Sequence, residues 1–127
     1  MAKEKYWVLD PDGSARQIEI DRLNMLDEFY AAIDCDCLEN VCTIIPDVCL
    51  IVDESGRIKY PAKQHNERAS LLYLGYILGR DDIVGSAILA AIHLVDGESD
   101  WVPLSPSELA KVTSCIGGLR SSSGSHI

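Results

Sequence analysis

The fold is decided by one stretch, Val48-Cys-Leu-Ile-Val-Asp-Glu-Ser-Gly-Arg-Ile-Lys-Tyr60, which leads into Asn66-Glu-Arg-Ala-Ser70. The apolar run Val48–Asp53 predicts a strand, Glu54-Ser-Gly56 predicts a turn, and Arg57–Tyr60 predicts a second short strand. We expect this hairpin at the centre of a sheet. The polar motif that follows it is the part of the chain that we expect to be presented to a partner.

A hairpin and a helix are predicted at the N-terminus. Lys5–Leu9 and Ala15–Ile20 have strand patterns. Asp10-Pro-Asp-Gly13 favours a turn between them, because proline presets φ and glycine accepts a positive φ. Asp21 is predicted to cap a helix that runs to about Ile33. The expected buried stripe consists of the apolar residues at three- and four-residue spacing, Leu23, Leu26, Phe29, Tyr30 and Ile33.

Two further strands are predicted on either side of Pro46-Asp47, with Cys37–Ile45 before the turn and Val48–Asp53 after it. Because proline cannot adopt the positive φ of a tight type I′ turn, this loop is expected to be longer or bulged. Leu71–Leu78 fits either a short helix or a strand. We favour a helix that starts near Asn66.

The last third of the chain contains a strand, a hairpin and a helix. Ile83–Val95 fits a long central strand, with a helix as the alternative because of its alanines. Asp96–Asp100 predicts a hairpin loop, and Trp101–Leu104 predicts a short edge strand, since its proline lacks a backbone donor. Ser105-Pro-Ser-Glu108 is a capping box that opens a final helix, which ends before Gly117-Gly118.

These elements predict one α+β domain over residues 1–118, an antiparallel sheet of hairpins with two main helices packed on one face. A chain of 127 residues is long enough to bury a core and leaves no room for a second domain. Residues 119–127 have no apolar pattern and are expected to form a disordered tail.

Charge and hydropathy exclude several classes of function. A net charge of −9 and a pI near 4.6 argue against direct nucleic-acid binding, which favours the opposite sign. The first residues lack the apolar core of a signal peptide, and the apolar stretches are too short or interrupted to span a bilayer. We therefore predict a cytoplasmic protein without membrane contact, whose five cysteines remain free thiols.

The cysteine spacing does not favour a metal site. Structural zinc is typically held by pairs of ligands two to four residues apart, and the four cysteines between residues 35 and 49 fit that pattern poorly. Cys37 and Cys42 are expected on opposite faces of their strand. Cys42 and Cys49 are expected as diagonal neighbours and buried thiols on one face. Cys115 is expected in the core.

No catalytic constellation is visible. His65 and His93 are the histidines outside the tail, and neither shares a local signature with a cysteine. His93 alternates with apolar residues, which is typical of a hydrogen-bonded strand histidine. Nucleophile-elbow, phosphate-loop, dinucleotide and zinc-protease motifs are missing, so we predict a non-enzymatic protein without cofactor or metal.

The polar motif coincides with a basic segment. Residues 57–80 contain Glu67 as their single acid against Arg57, Lys59, Lys63, Arg68 and Arg80. One interpretation is a solvated loop that pairs with its acidic neighbours. The other is an anion or partner site at a helix start. The candidate binding residues for that second interpretation are Lys63, Asn66, Arg68, Arg80 and Asp53.

The acidic residues concentrate in predicted turns: Asp10, Asp12, Asp34, Asp36, Glu39, Asp47, Asp53 and Glu54. Acids in turns mainly increase solubility. If they clustered on one side of the sheet, they would instead mimic a nucleic-acid backbone and occupy a basic channel in another protein. The sequence leaves both interpretations open.

The order of the motifs carries a resemblance. A strand–Pro-Asp-Gly–strand–helix start is followed by Cys49–Arg57, Asn66–Ser70, Asp82–Ile88 and an Asp-Gly loop before Leu104–Glu108. Over about residues 5–112 this order resembles a small domain-of-unknown-function family carried by phages, prophages and conjugative elements. The cysteine-rich segment 35–42 and the tail depart from the family's pattern.

The resemblance implies a biological context. Accessory proteins of this kind often act on host enzymes, restriction systems or other immune systems, and family members resemble neighbours of antirestriction proteins. Asn66 and Arg68 match the family's polar motif, and Asp53 matches its turn. The implied function is a non-enzymatic protein that binds a host protein in the bacterial cytoplasm, such as an anti-defence inhibitor of antirestriction or anti-CRISPR type that uses a charged surface.

Two alternatives accompany that hypothesis. In the first alternative, the chain is a small-ligand binding protein that captures a nucleotide-like anion near Asn66 and Arg68, with help from Lys63. In the second, the motif is structural: Asn66 caps the following helix and Arg68 pairs with Asp53 or Glu54. The contact surface stays open between the acidic turns and the basic segment, and the oligomeric state is undetermined.

Overall fold

The computed structural model describes residues 3–59 and 63–119. Short 3-10 helices lie at Arg22–Asn24 and Gly56–Lys59. The regular elements, in chain order, are β1 (Glu4–Leu9), β2 (Ala15–Ile20), α1 (Met25–Ile33), β3 (Leu38–Cys42), β4 (Val48–Asp53), α2 (Glu67–Leu72), α3 (Leu74–Ile77), β5 (Ala87–Val95), β6 (Glu98–Val102) and α4 (Pro106–Ile116). The predicted α+β class is confirmed.

The strands form one antiparallel sheet in the order β2-β1-β5-β4-β3, and β6 pairs with β5 beside that path. The first residues of β5 pair with β1, its middle pairs with β4, and its C-terminal half pairs with β6. The predicted central strand is therefore confirmed, although it begins at Ala87 and not at Ile83. Before it, Val84 makes an isolated bridge with His65.

Helices cover both faces of the sheet, and the two longest lie on opposite faces. On one face, α1 contributes Phe29 to a cluster that includes Ile51. On the other face, α4 contributes Val112 to a cluster that includes Leu50, and α2 packs there as well. This division replaces the predicted placement of both helices on one face. The cause lies in β4, whose residues are all buried, because a strand that is apolar on both faces needs cover on both.

Helix α1 begins later than predicted. Asp21 is an N-cap as expected, but it caps the 3-10 turn by accepting a hydrogen bond from Leu23 N–H at 3.1 Å. Leu23 and Leu26 are 80% and 52% exposed, so their assignment to the buried stripe is wrong. The later start sets a different stripe at four-residue spacing, formed by Met25, Phe29 and Ile33.

The prediction of a second strand at Arg57–Tyr60 is wrong. Gly56–Lys59 form a 3-10 helix, and the last residue of the predicted strand lies outside the described residues. Asp53 explains the difference, because its carboxylate accepts hydrogen bonds from Ser55 N–H and Lys59 Nζ, both at 2.8 Å. These bonds wind the chain after β4 and leave no extended strand.

Other local predictions are confirmed. Gly13 has a φ of 91° in the first turn. Asn66 starts α2, and the apolar run continues as α3 after a break at Tyr73. Ser105 begins α4 with a complete capping box.

The final hairpin is tighter than predicted. Asp96 and Gly97 form its turn with φ values of 52° and 84°, and β6 then covers Glu98–Val102 where Trp101–Leu104 was expected. Leu119 packs against the core. The rest of the predicted tail, residues 120–127, lies outside the described residues.

Candidate functional site

Asn66 is fully buried and connects three segments. Its Oδ1 accepts a hydrogen bond from Ala69 N–H at 3.1 Å, which caps α2. Its Nδ2 donates to Leu9 O and Gly85 O, both at 2.9 Å. Its backbone N–H donates to Ile83 O at 2.8 Å. One side chain thus ties α2 to β1 and to the segment before β5, and it presents no polar atom to a ligand.

The guanidinium of Arg68 caps the C-terminus of α4. It donates to the carbonyl oxygens of residues 116–118 at distances between 2.9 and 3.2 Å, where a helix end carries partial negative charge. A further bond of 3.1 Å reaches Gly13 O in the first hairpin turn. Arg68 is therefore a structural residue, and its partners are main-chain carbonyls where the structural hypothesis had named Asp53 or Glu54.

Asp53 is buried at the end of β4 and holds two lysines. Its Oδ2 lies 2.8 Å from Lys59 Nζ and 3.0 Å from Lys63 Nζ. Burial opposes the ionisation of Asp53, but hydrogen bonds from Lys59, Ser55 N–H and Lys63 outweigh burial and lower its pKa. Lys63 also donates to Ile33 O at 2.8 Å, at the end of α1. Both lysines are thus engaged by the fold.

Arg80 is exposed and lies in a different place. It lines an open pocket of about 330 Å³, whose other described lining residues are His65, Tyr76, Gly79, Asp81 and Asp82. We call this the His65 pocket. The five residues predicted as one site are therefore divided among the centre of the fold, the end of α4, the Asp53 cluster and this pocket.

His65 lies between two carboxylates. Its Nδ1 is 2.6 Å from Asp82 Oδ2, and its Nε2 is 2.9 Å from Glu67 Oε1. Glu67 first and Asp82 second raise the pKa of His65, and burial opposes the rise only in part. The described lining of the pocket contains no serine, threonine or cysteine that the imidazole would activate as a nucleophile. The two carboxylates therefore favour the protonated form of the imidazole, between α2 and the segment before β5.

The segment containing α2 and α3 exposes apolar side chains. Leu71, Leu74, Ile77 and Leu78 are 38%, 40%, 52% and 56% exposed, and we call them the α2–α3 patch. Leu74 and Ile77 are three residues apart and share one side of α3, and Leu78 follows at the end of that helix. The opposite side of the segment packs into the core through Leu72.

A second pocket adjoins this segment at Tyr73, the residue between α2 and α3. It holds about 90 Å³. Burial raises the pKa of Tyr73, and the negative charges of Asp81 and Glu39 add to the rise. The charges of Asp81 and Glu39 therefore lie beside the α2–α3 patch, whereas Asp53 is paired with Lys59 and Lys63, and Asp82 with His65. We call the cavity the acidic pocket, because its lining includes Glu39, Asp53, Glu54, Asp81 and Asp82.

Many acids that the sequence placed in turns serve the backbone. Asp34, Asp47 and Asp96 have φ values of 54°, 65° and 52°, a left-handed conformation that aspartate tolerates better than most residues. Asp12 accepts hydrogen bonds from the N–H and Oγ of Ser14. Turn chemistry accounts for these positions, which favours a local structural role over mimicry of a nucleic-acid backbone.

The cysteines divide by burial. Cys35 and Cys49 are buried, whereas Cys37, Cys42 and Cys115 are exposed, so the expected burial of Cys42 and Cys115 is wrong. Cys42 and Cys49 are directly opposed in the β3–β4 ladder and not diagonal. Within residues 3–59 and 63–119, no three His, Cys, Asp or Glu side chains are arranged to hold a metal ion.

Sequence reasoning treated both histidines as isolated. His93 Nε2 lies 2.8 Å from a carboxylate oxygen of α4, so its interpretation as a hydrogen-bonded strand histidine is confirmed. The partners of His65 were missed. Glu67, two residues away, was a local signal, but Asp82 reaches His65 only through the tertiary fold. The sequence contained a weak signal for the exposure of the α2–α3 patch: Leu71–Leu78 has more apolar side chains than one face of a short helix can direct into a core.

The fold and these sites define a class of protein: a small α+β domain with one antiparallel sheet covered on both faces. Residues 5–116 match the family described as a domain of unknown function (DUF3846), and the chain belongs to that family. The predicted membership in a domain-of-unknown-function family is thereby confirmed. Neither a curated protein nor a solved structure matches the chain. None of the helices within the described residues has the length and apolar content needed to cross a lipid bilayer.

Proposed function

We propose that this domain is a non-catalytic binding protein that recognises a partner protein through the α2–α3 patch. The observation that carries the proposal is the exposure of Leu71, Leu74, Ile77 and Leu78 within one short segment. Apolar surface that stays in water lacks the stabilisation of about 25 cal/mol per Å² that burial would provide. Clusters of such surface on a folded domain typically mark interaction sites.

The charge beside the patch supports a basic partner. The acidic pocket adjoins the patch at Tyr73 and is small enough to suit a single ammonium or guanidinium group. The whole chain carries a net charge of −9, which accelerates encounter with a positive surface. The proposed partner segment therefore presents apolar side chains flanked by lysine or arginine.

The biological setting of the proposal comes from the motif order described above. Its resemblance to accessory proteins of phages and conjugative elements supports a host protein as the partner, such as a component of a restriction or CRISPR complex. The domain would then act in the bacterial cytoplasm as an anti-defence inhibitor. Capture of a nucleotide-like anion has less support, because Lys63, Asn66 and Arg68 donate their hydrogen bonds within the fold.

Affinity capture from a bacterial host lysate tests this proposal. The bait proteins are the wild type, a Leu74→Asp/Ile77→Asp double variant, and a Leu94→Asp control. Leu94 is 75% exposed on β5 and lies outside the patch. We expect the wild type and the control to retain the same identified partner and the double variant to lose it. Binding of the partner by the wild type should weaken at high salt.

Circular dichroism and thermal melting of the three baits establish that all are folded. Equal capture of the partner by a folded double variant would contradict the use of this patch. Loss of the partner in Leu94→Asp alone would place the interface at the C-terminal end of β5 and not at the α2–α3 patch.

A further inference from the structure

We infer that Cys42 and Cys49 form an oxidisable dithiol, which a small-molecule disulfide converts into a cross-strand disulfide between β3 and β4. The two residues are direct partners in the ladder. Directly opposed residues of an antiparallel pair project from the same face of the sheet. The inference is independent of the proposed function.

The hydrogen-bond alternation of the ladder identifies the type of this pair. Cys37 and Glu54 form the pair next to Leu38–Asp53. Glu54 N–H donates to Cys37 O at 3.0 Å, so the Cys37–Glu54 pair is of the hydrogen-bonded type. The two types alternate along an antiparallel ladder. The pairs of the other, non-hydrogen-bonded type are therefore Leu38–Asp53, Asn40–Ile51 and Cys42–Cys49.

The non-hydrogen-bonded type is the one that favours a disulfide. Its Cα atoms lie about 4.5 Å apart and its side chains approach more closely than in the alternate type. A disulfide requires a Cα separation of about 4.4–6.8 Å. The thiols of Cys42 and Cys49 can therefore be joined without separating or shifting the two strands.

The two thiols differ in access, and this sets the order of the reaction. Cys42 is exposed and Cys49 is 2% exposed. Burial, with a smaller contribution from the charge of Cys42, raises the pKa of Cys49 to about 12. Because the thiolate is the nucleophile, Cys42 reacts first with an oxidant from solution.

The exchange proceeds in two steps that balance. The Cys42 thiolate attacks one sulfur of the small-molecule disulfide, forms a mixed disulfide and releases one thiolate. Cys49 then loses its proton, attacks the Cys42 sulfur and expels the second thiolate. The two protein thiols lose two electrons, and the oxidant becomes two thiols that take up the two protons.

The disulfide would close the short β3–β4 loop, which contacts α2. In this loop, Ile44 N–H donates to Leu72 O at 3.0 Å, and Thr43 bridges Tyr73. Oxidation therefore restrains the chain at the position where α2 ends and α3 begins. Since loop closure lowers the entropy of the unfolded chain, the oxidised protein should melt at a higher temperature.

The test treats the folded full-length protein with glutathione disulfide and follows free thiols, intact mass and peptide maps. We expect a linked peptide containing Cys42 and Cys49, a loss of two hydrogen atoms per chain once glutathione adducts on the other exposed cysteines are subtracted from the mass, and a Tm about 5–10 °C higher. Dithiothreitol should reverse all three changes. Cys42→Ser and Cys42→Ala should abolish them, whereas Cys37→Ser, which removes a neighbouring exposed thiol, should not.

Two results would overturn the inference. One is oxidation that leaves only glutathione adducts on the exposed cysteines, without the linked peptide. The other is a linked peptide that joins a different pair, or that persists in a folded Cys42→Ser protein. The reduced variants are melted beside the reduced wild type, so that a changed thiol reaction is separated from a changed fold.

Discussion

The polar motif at Asn66 and the α2–α3 patch follow each other in the chain but use their side chains in opposite ways. Asn66 and Arg68 direct their polar atoms to main-chain carbonyls of distant segments. The patch directs leucine and isoleucine side chains to solvent. The polar residues are therefore scaffold and the apolar residues are surface. Residue polarity shows what a side chain requires, whereas the neighbours that the fold supplies decide its role.

The largest effect is expected for Asn66→Ala. This change removes the cap of α2, worth about 1 kcal/mol, and leaves Leu9 O and Gly85 O without their donor, at about 1 kcal/mol each or more. We expect a loss of about 3 kcal/mol in the free energy of unfolding, measured by urea denaturation. Asn24→Ala is the matched control, because Asn24 is an N-cap without a side-chain hydrogen bond. Equal losses in the two variants would show that Asn66 is not scaffold.

The next effect is expected for Arg68→Ala. If Arg68 were a binding residue, as in the second interpretation of the basic segment, its removal would weaken partner binding without loss of stability. The contacts of Arg68 reverse that expectation: the variant should lose about 1–2 kcal/mol of stability, because the end of α4 loses its cap, and should keep its partner. Thermal melting and affinity capture are measured on the same preparations, with Arg80→Ala as an exposed control. Reduced capture by a fully stable Arg68→Ala protein would restore the binding hypothesis.

A smaller and pH-dependent effect is expected at His65, which joins the polar motif to the segment before β5. Its folded pKa is raised above the ordinary value of 6.5. The stabilisation by Glu67 and Asp82 is therefore fully present below that value and is lost as pH rises through the folded pKa. The stability difference between wild type and His65→Gln should be largest in mildly acidic solution and should vanish in alkaline solution. Denaturation curves across this pH range check the sign, and a flat difference would contradict it.

The smallest effect on stability is expected in the patch. Ile77→Ala should change the free energy of unfolding by less than about 0.5 kcal/mol, because its side chain is largely in water. Leu72→Ala, from the buried side of the same segment, should cost about 3 kcal/mol. Chemical denaturation of both variants sharpens the contrast between the two sides. A large loss for Ile77→Ala would mean that the patch is covered by another part of the chain.

Sequence reasoning succeeded where a structure depends on adjacent residues. The first hairpin turn at Gly13, the cap of α2 by Asn66 and the capping box at Ser105 are all confirmed, because each is formed within a few residues. It failed at Arg57–Tyr60, since the chain there is wound by the carboxylate of Asp53. It also placed both main helices on one face, although the unbroken apolar character of β4 already indicated a strand buried on both.

By itself, the sequence determined the class of the fold, the first hairpin turn and the starts of α2 and α4, because these depend on local backbone preferences and on the spacing of apolar residues. The tertiary structure alone decided which conspicuous residues are internal and which are exposed. Asn66 bonds to a carbonyl 57 residues away, and Asp82 reaches His65 across a 17-residue separation. Such pairings depend on how distant segments pack, and a local pattern does not encode them.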